Sequence, residues 1–525
     1  MNTTLSNTLK SINPTNLEAL GEVPLTPISA LNQTVNASKD AFEKWSMLPL
    51  KFRLEKIQNF QQLLVKQKDD LARLISLEAG KPIVESYLAE ISGPADMCAW
   101  LLKDAENLLA STDVKISNPL LWGKKHILKY EPLGVIGIIA PWNYPFSISV
   151  MAMLMALAAG NTVILKPSEK TPLVGLKIGD LFKQAGFPEN IVSVVFGGGE
   201  VGEEFAKANL ARLIFTGSLN TGIKVMNAAA ASVTPISLEL GGKDPAIVLP
   251  DAPVERTAQA ITWGAFTNAG QACASIERLY VVRGGNSERI INRIVQLVEK
   301  LQVGDPLLET TEIGPLVDVQ QFDHMVNLVG QAVSAGAKVL CGGEKLSSPE
   351  LRDKGLTGYF YQPTVLTNVD KNMRIMQEEI FGPALPIVIV DSADEAIRLT
   401  NDSNYALTAS LWSANLSCAQ SLANKIRAGT VYINDCLYSH AVAQLPWGGL
   451  KSSGFGRSHS AFGLLDLVNI KHISVDGLSW LPRLWWYPYH GSKLKTVRYG
   501  LDYMHGKNNK LASLWGFITN IIKSK

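Results

Sequence analysis

The sequence predicts a mixed α/β protein with two doubly wound α/β domains and a small bridging element. Three observations indicate this fold class. The chain has 525 residues, which is too long for one ordinary hydrophobic core. Short apolar segments alternate with helical segments between residues 132 and 240, and a second series of the same kind follows Gly242. Such alternation is typical of parallel sheets whose strands are connected by helices.

The first series follows a helical region. Apolar residues recur at intervals of three and four between residues 38 and 77, which predicts packing helices. Residues 146–160 are almost entirely apolar and follow another apolar run at 135–140. Pro141 and Pro145 separate the two runs, and the longer run is shorter than the ~20 residues that span a bilayer. We therefore expect a buried helix there. The strands of this series are expected at 135–139, 162–166, 191–196 and 212–216.

The second series has expected strands at 245–249, 278–282, 338–340, 386–390 and 430–433. The compositional break at Gly241-Gly242 separates the two series, and Glu239 lies at this seam. A crevice between domains can hold a ligand and exclude water. The expected domain bounds are 1–110 with 131–240, then 241–440, a bridging and oligomerisation element at 111–130 with 441–476, and a C-terminal extension at 477–525.

The composition excludes several classes of protein. Hydrophobic residues make up 46% and charged residues 18% of the chain, which is typical of a globular protein without long disorder. The net charge is +2, and no dense Lys/Arg block precedes the C-terminal end, so we expect no nucleic-acid partner. Five cysteines without metal-ligand spacing predict reduced cytoplasmic thiols and no metal site. The N-terminus lacks the pattern of a secretory signal.

Two segments carry candidate chemistry. Leu238–Lys243 contains Glu239, a potential general base, and Gly270–Cys273 contains a potential thiolate nucleophile. Glycines beside both residues let a substrate and a cofactor approach the backbone closely. A lone Cys is usually a small buried hydrophobic residue and a lone Glu is usually solvated, so it is their combination that indicates an enzyme.

Together with further motifs, these segments resemble the NAD(P)-dependent aldehyde dehydrogenase superfamily over residues 12–475. The resemblance implies oxidation of an aldehyde to the carboxylic acid with NAD, a Rossmann-like NAD-binding domain, a catalytic domain, and assembly as a homodimer or homotetramer. The motifs that carry it are Ile12-Asn13-Pro14, Leu77–Pro82, Pro141-Trp142-Asn143-Tyr144-Pro145, Leu238–Lys243, Gly270–Cys273 and Pro446–Gly454.

The resemblance implies four catalytic residues. Cys273 is the nucleophile that adds to the aldehyde carbon. The side-chain amide of Asn143 and the backbone N–H of Cys273 stabilise the resulting oxyanion. Glu239 deprotonates the water that hydrolyses the thioester. Lys166 is the fourth catalytic residue that the resemblance implies, and it also binds the cofactor.

The resemblance also implies how the dinucleotide is bound. Lys166 and Glu169 bind the adenosine ribose hydroxyls, and a carboxylate at this place disfavours a 2′-phosphate, so NAD is preferred while NADP stays possible. Gly197 opens a GxGxxG match whose loop lies near the adenine. The remaining expected cofactor contacts are Trp142, Ser168, Phe215, Thr216, Gly217, Ser218, Gly222, Leu240, Glu379 and Phe381.

Tyr144, Met151 and Trp447 match positions of the family's substrate tunnel, and their character favours an uncharged, fairly hydrophobic aldehyde. Arg278 begins a strand, so we do not interpret it as a carboxylate anchor. Two alternatives remain: a semialdehyde dehydrogenase, which needs a cationic side chain facing the tunnel, and a non-catalytic protein that retains the fold. Intact Asn143, Glu239 and Cys273 argue against the second alternative.

The extension at 477–525 is rich in aromatic residues and has a basic end. Its residues 511–522 are too few to span a bilayer, yet Trp, Tyr and Lys favour the membrane interface. A peripheral membrane contact is one interpretation. Packing of the aromatic residues on a neighbouring subunit is the other, and neither periodicity nor charge separates the two.

Overall fold

The computed structural model describes residues 7–118, 121, 123–346, 353–480, 483–489, 491–507 and 509–523. The chain divides into two compact units. The main unit is Met1–Ala110 with Tyr130–Ile470, and the small unit is Ser111–Lys129 with Lys471–Lys525. The domain bounds expected from the sequence stay a prediction. In this division both expected α/β domains and residues 441–470 lie in the main unit, and the expected extension lies in the small unit with residues 111–129 and 471–476.

The strands are β1 (Thr8–Ile12), β2 (Ala19–Pro24), β3 (Thr112–Asp113), β4 (Lys124–Pro132), β5 (Val135–Ile139), β6 (Thr162–Lys166), β7 (Val192–Val194), β8 (Arg212–Thr216), β9 (Ile236–Glu239), β10 (Asp244–Val248), β11 (Ile276–Val282), β12 (Lys338–Cys341), β13 (Thr364–Thr367), β14 (Ala384–Val390), β15 (Tyr405–Ala406), β16 (Thr408–Trp412), β17 (Thr430–Ile433), β18 (Leu450–Lys451), β19 (Gly454–Phe455) and β20 (Val468–Asp476).

The α-helices are Ile28–Trp45, Leu50–Lys66, Lys68–Ala79, Ile83–Glu85, Gly93–Leu108, Ser147–Ala158, Pro172–Gln184, Gly199–Lys207, Leu219–Ala230, Val254–Phe266, Ser287–Val298, Val319–Ser334, Arg374–Gln377, Ala393–Asn401, Leu416–Ala423, Ser460–Leu465, Gly491–His505 and Lys510–Lys523. Ser86–Ser92 is a π-helix, and Thr267–Gly270 and Tyr438–Ala441 are 3₁₀-helices.

A six-stranded sheet forms the first half of the main unit, in the order β19-β9-β8-β5-β6-β7. Five of its strands are parallel, and β19 pairs antiparallel with β9. Every residue of β5 and β6 is buried, as expected of strands covered on both faces. From β5 the chain winds to β6 and β7 on one side and then returns to β8 and β9 on the other. The point of reversal beside β5 is where such sheets bind ligands, at the carboxyl ends of the strands.

A seven-stranded sheet forms the second half, in the order β12-β13-β14-β11-β10-β16-β17. Only β12 is antiparallel to its neighbour. The predicted α/β class with two doubly wound domains is confirmed. The predicted strands are present with shifts of a few residues at their ends, whereas β9, β13, β16 and β19 of the two large sheets were not predicted.

The apolar segment 146–160 forms the predicted buried helix, Ser147–Ala158, in which only Ala152 is not fully buried. Among the described residues, no helix has the length and apolar character needed to cross a membrane. The small unit contains β3, most of β4 and β20, and two C-terminal helices that pack on each other.

Candidate active site

Two cavities of the main unit meet at Cys273. The larger cavity has a volume of about 720 Å³ and the smaller one about 240 Å³, and Cys273 and Ile148 line both. The larger cavity lies at the point where the six-stranded sheet reverses direction, because Trp142 follows β5 and Gly217 follows β8. This arrangement gives a ligand in each cavity access to one sulfur atom.

An unusual backbone conformation positions Cys273. Asn268, Ala269 and Gly270, which precede it, have positive φ angles of 51°, 54° and 72°. A Cβ atom on Gly270 would lie 2.3 Å from the carbonyl oxygen of Gly382, so only glycine fits there. Strained backbone of this kind is common where a functional group must be held in place.

The two motifs found in the sequence are in contact. A Cβ atom on Gly242 would lie 2.4 Å from the carbonyl oxygen of Cys273, which shows how closely the two backbones approach. The buried amide of Asn143 donates a hydrogen bond from Nδ2 to the carbonyl oxygen of Gln271 at 3.0 Å. Asn268 Nδ2 donates to the carbonyl oxygens of Asn143 (3.2 Å) and Gln271 (3.0 Å). These bonds connect the loop after β5 to the loop that carries Cys273.

Glu239 is the last residue of β9 and lines the larger cavity. Burial raises the pKa of its carboxyl group to about 7, although Ser458, Trp447 and Arg457 oppose this rise. A base with a pKa near the working pH is effective, because it is deprotonated often enough and still binds a proton. The carboxyl group of Glu239 is therefore suited to activate water at neutral pH.

Burial also raises the pKa of the Cys273 thiol, and the negative charges of Asp244, Glu379 and Glu239 raise it further. The sulfur is thus a protonated thiol in the arrangement seen here. A positive charge beside it, or the protonation of a neighbouring carboxylate, would favour the reactive thiolate.

The larger cavity fits a dinucleotide. The helix Leu219–Ala230 begins at its wall, with Ser218 as the N-cap residue. Free N–H groups at a helix start bind phosphate. Gly217 and Gly241 keep this wall open: a Cβ atom would lie 2.7 Å from the Phe215 ring at the first and 2.4 Å from Glu379 Oε2 at the second.

Glu379 and Phe381 also line the larger cavity. Glu277 accepts hydrogen bonds from the N–H groups of Ile380 and Phe381, both at 2.8 Å, and forms a buried ion pair with Lys243 at 2.9 Å. Burial and the nearby charge of Glu277 raise the pKa of Glu379 to about 8. Glu277, paired with Lys243, thus holds the loop that carries Glu379 and Phe381, although neither Glu277 nor Lys243 lines the cavity.

Other predicted cofactor residues lie on the same sheet edge but outside the lining of the larger cavity. Lys166 ends β6, and its Nζ lies 3.1 Å from Glu169 Oε2. Burial of Glu169 raises its pKa, but the charge and hydrogen bond of Lys166, a backbone hydrogen bond and the charge of Lys170 together outweigh this effect, so the pKa is lowered. Ser168 and Gly197 are also predicted cofactor residues outside this lining. So are Phe215 and Gly222, which pack beneath the loop after β8.

The predicted residues that do line the larger cavity are Trp142, Asn143, Thr216, Gly217, Ser218, Glu239, Leu240, Cys273, Glu379 and Phe381. The individual roles assigned to all these side chains remain predictions. Among the described residues, no group of three or more His, Cys, Asp or Glu is arranged to hold a metal ion.

The smaller cavity contains two of the three predicted tunnel residues, Tyr144 and Trp447. Met151 is fully buried behind this wall, where its sulfur would lie 3.5 Å from a Cβ atom on Gly93. No Lys or Arg is among the described residues that line the cavity, which are Glu85, Leu88, Ala89, Tyr144, Ile148, Trp263, Thr267, Ala272, Cys273, Ala274, Leu437, Tyr438, His440, Ala441 and Trp447. The lining therefore gives no support to the semialdehyde alternative.

Two titratable residues of the smaller cavity were not predicted. Glu85 accepts hydrogen bonds from the Thr267 hydroxyl (2.9 Å) and the Asn268 N–H (2.7 Å), and burial raises its pKa to about 7. Burial and the charge of Lys81 lower the pKa of His440 to about 4, so this imidazole is neutral at pH 7. The Leu77–Pro82 motif ends three residues before Glu85, but no pattern in the sequence indicates His440.

A buried ion pair supports the wall of the smaller cavity. Lys81 and Glu90 are fully buried, with Nζ and Oε1 2.5 Å apart, and Lys81 Nζ lies 3.5 Å from the centre of the Tyr144 ring. Glu90 also accepts the N–H groups of Phe146 (3.2 Å) and Ser147 (2.8 Å) at the start of the apolar helix. These contacts fix the position of Tyr144 relative to Cys273.

Comparison with known proteins gives a consistent result. The model of the aldehyde dehydrogenase family matches residues 2–473. The chain is 37% identical to 4,4′-diapolycopene aldehyde oxidase of Methylomonas sp. over 96% of this chain and 92% of that protein, and 35% identical to aminoaldehyde dehydrogenase 1, peroxisomal, of Pisum sativum over 90% and 93%.

A solved structure of a betaine aldehyde dehydrogenase point mutant from Staphylococcus aureus in complex with NAD⁺ superposes with a TM-score of 0.85 at 32% identity and covers 93% of this chain and 98% of that one. The aldehyde dehydrogenase of Bacillus cereus in its NAD⁺ complex gives a TM-score of 0.84 at 33% identity, over 89% and 93%. The chain belongs to the aldehyde dehydrogenase family and is an enzyme that oxidises an aldehyde to the carboxylic acid with NAD.

Proposed function

We propose that the substrate is an apolar, long-chain aldehyde. The observation that carries this proposal is the smaller cavity, whose described lining is mostly apolar and aromatic and contains no Lys or Arg. The relative from Methylomonas sp. is named for diapolycopene aldehyde, which agrees with the proposal. The homo-oligomeric state and the cytoplasmic location remain predictions.

Glu85 favours a second candidate, an aminoaldehyde, because a carboxylate in the smaller cavity would attract an ammonium group. Relatives of this chain are named aminoaldehyde and betaine aldehyde dehydrogenases. Two facts speak against this candidate. Glu85 already binds Thr267 and Asn268, and its pKa of about 7 means that it carries much less than a full charge at neutral pH. A carboxylate that binds a substrate cation is expected to have a low pKa, because the cation stabilises its charged form.

The geometry supports the following roles in the reaction. The Cys273 thiol first loses its proton to solvent water. The thiolate then adds to the aldehyde carbon and forms a thiohemiacetal, whose oxyanion accepts hydrogen bonds from Asn143 Nδ2 and the backbone N–H of Cys273. Bound NAD⁺ supplies the acceptor for the hydride that leaves this carbon. The thioester that remains on Cys273 is hydrolysed by water, from which Glu239 takes the proton. The acid is then released and the thiol is restored.

A panel of aldehydes assayed with NAD tests the substrate proposal. Unbranched aldehydes of increasing length are compared with ω-aminoaldehydes of the same length. We expect kcat/KM to rise with apolar length, by about threefold to fourfold for each methylene group that becomes buried. Each amino analogue should be the poorer substrate, because its ammonium group must be desolvated. A preference for the amino analogues would favour the second candidate.

We propose further that the extension contacts an anionic membrane surface. Phe517 packs against Gly500 and Tyr499 against Gly516, which joins the two C-terminal helices. Several large side chains nevertheless remain in solvent, such as Trp480 and Trp515, each 71% exposed. Residues 477–525 contain eight Lys and Arg but one acidic residue, Asp502. Aromatic residues favour the membrane interface and basic residues favour anionic head groups, whereas two copies of this basic segment would repel each other.

Sedimentation with liposomes tests the membrane contact. We expect the full chain to sediment with vesicles that contain anionic lipid, less with purely zwitterionic vesicles, and less at high salt. The full-length double variant Trp480→Ser/Trp515→Ser should sediment less at an unchanged aldehyde oxidation rate. If the native chain stays in the supernatant with both kinds of vesicle and the double variant changes the oligomeric state, the extension is a contact between subunits.

A further inference from the structure

A third cavity adjoins the smaller cavity and shares no lining residue with the larger cavity. This outer cavity has a volume of about 460 Å³ and shares Glu85, Leu88, Trp263 and Thr267 with the smaller cavity. We infer that the outer cavity binds the distal end of a long apolar aldehyde whose carbonyl group lies at Cys273. This inference rests on the proposed function and deepens it, because it assigns a place to the part of the chain that the smaller cavity cannot hold.

The volumes favour this arrangement. Pockets that bind small molecules usually have about 300–1000 Å³, and the smaller cavity alone, at about 240 Å³, is below that range. Together, the smaller and outer cavities have a volume within that range. A short aldehyde needs only the smaller cavity, whereas a long one must pass Leu88 and Trp263.

Of the four residues that the two cavities share, Glu85 and Thr267 are polar, whereas Leu88 and Trp263 have large, exposed apolar side chains. Leu88 is 66% exposed and lies on the π-helix Ser86–Ser92, while Trp263 is 48% exposed and lies near the end of the helix Val254–Phe266. A π-helix is uncommon and is frequently found at functional sites. Here it turns Leu88 and Ala89 towards the smaller cavity while Glu90 remains buried beside Lys81. Large apolar side chains left in solvent at one place often mark a binding site.

The lining of the outer cavity combines apolar and charged side chains. Val84, Phe266, Leu301 and the buried Ile313 are apolar. Lys300, Glu309 and Glu312 are charged. The outer cavity adjoins the smaller cavity, which leads to Cys273. An apolar tail that lies in the outer cavity can therefore belong to the same molecule as the aldehyde carbon at Cys273, and we favour this occupant over a peptide.

Gln259→Trp tests the inference, because Gln259 is an exposed residue of the helix Val254–Phe266 that lines the outer cavity but not the smaller one. A tryptophan there should fill the outer cavity. We expect the ratio of kcat/KM for a long aldehyde to that for a short one to fall about tenfold, which corresponds to the loss of about two buried methylene groups. Gln296→Trp, on the exposed side of the helix Ser287–Val298 and outside these cavities, should keep the native ratio.

Val84→Asp is the second variant, since it places a charge in the apolar wall of the outer cavity without adding bulk. It should lower the same ratio. If the native enzyme prefers long aldehydes but both variants keep the native ratio, or lose activity equally on long and short substrates, the inference about the outer cavity is wrong and the proposed function stands. If the native enzyme shows no preference for long aldehydes, the proposed function itself fails.

Discussion

Replacing Cys273 with alanine is expected to abolish the oxidation of every aldehyde, with a loss in kcat/KM on the order of 10⁴-fold or more. No other described cysteine lines either cavity that meets at Cys273, so none can take over the covalent step. The alanine side chain removes only the sulfur atom. The fold and the wall of the larger cavity should therefore be unchanged.

The readouts are the rate of NADH formation and the dissociation constant of NAD, measured by fluorescence titration. NAD binding should be largely retained in Cys273→Ala. Cys418→Ala is the matched control, because Cys418 is exposed on the helix Leu416–Ala423, and this variant should retain native activity. Activity of Cys273→Ala above a trace would show that the aldehyde is oxidised without this sulfur.

The candidate reacting groups, Glu239 and Cys273, can be identified from the sequence because local sequence determines their setting. Glu239 ends a strand beside two glycines, and Cys273 follows a turn whose glycine has no room for a side chain. The parallel arrangement of strands then brings the loops after β5, β8 and β9 to one edge of the sheet. Alternation along the chain predicts that arrangement, so the sequence locates the cofactor side of the site well.

The substrate side was less predictable because tertiary packing forms it. Glu85 and His440 are separated by hundreds of residues, and nothing in the pattern around either one connects them. The expectation that Met151 faces the tunnel finds no support in the lining of the smaller cavity, and the reason is physical. The helix Ser147–Ala158 is apolar on all sides, so its sequence has no periodicity that shows which face meets the cavity.

Four strands of the two large sheets were also missed, and β9 and β16 show local reasons for this. β9 is short, and β16 has the sequence Thr-Ala-Ser-Leu-Trp, which lacks the run of branched apolar residues that indicates a buried strand. β16 is nevertheless fully buried between β10 and β17. Its polar side chains find partners there: Asp244 accepts hydrogen bonds from the N–H and the hydroxyl of Thr408. Neighbouring strands, rather than its own residues, determine its structure.

Glu239→Gln should separate the two halves of the reaction. Glutamine preserves the size of the side chain but cannot accept the proton of water, so hydrolysis of the thioester should slow by about 10² to 10⁴. Formation of the thioester needs Cys273 and the cofactor, and it should persist as a single-turnover burst of NADH. A rapid-mixing experiment with excess NAD and aldehyde measures both phases on the same sample.

The pH profile adds a readout that a purely structural role of Glu239 would not change. Burial raises the pKa of this carboxyl group to about 7, and only the deprotonated form can act as the base. Steady-state turnover of the native enzyme should therefore rise with pH up to about 7 and then level off, whereas the residual turnover of Glu239→Gln should lack this limb. If the burst disappears together with turnover, Glu239 acts before the hydride leaves, for example by taking the proton of the Cys273 thiol, whose own pKa is raised by burial and by nearby carboxylates.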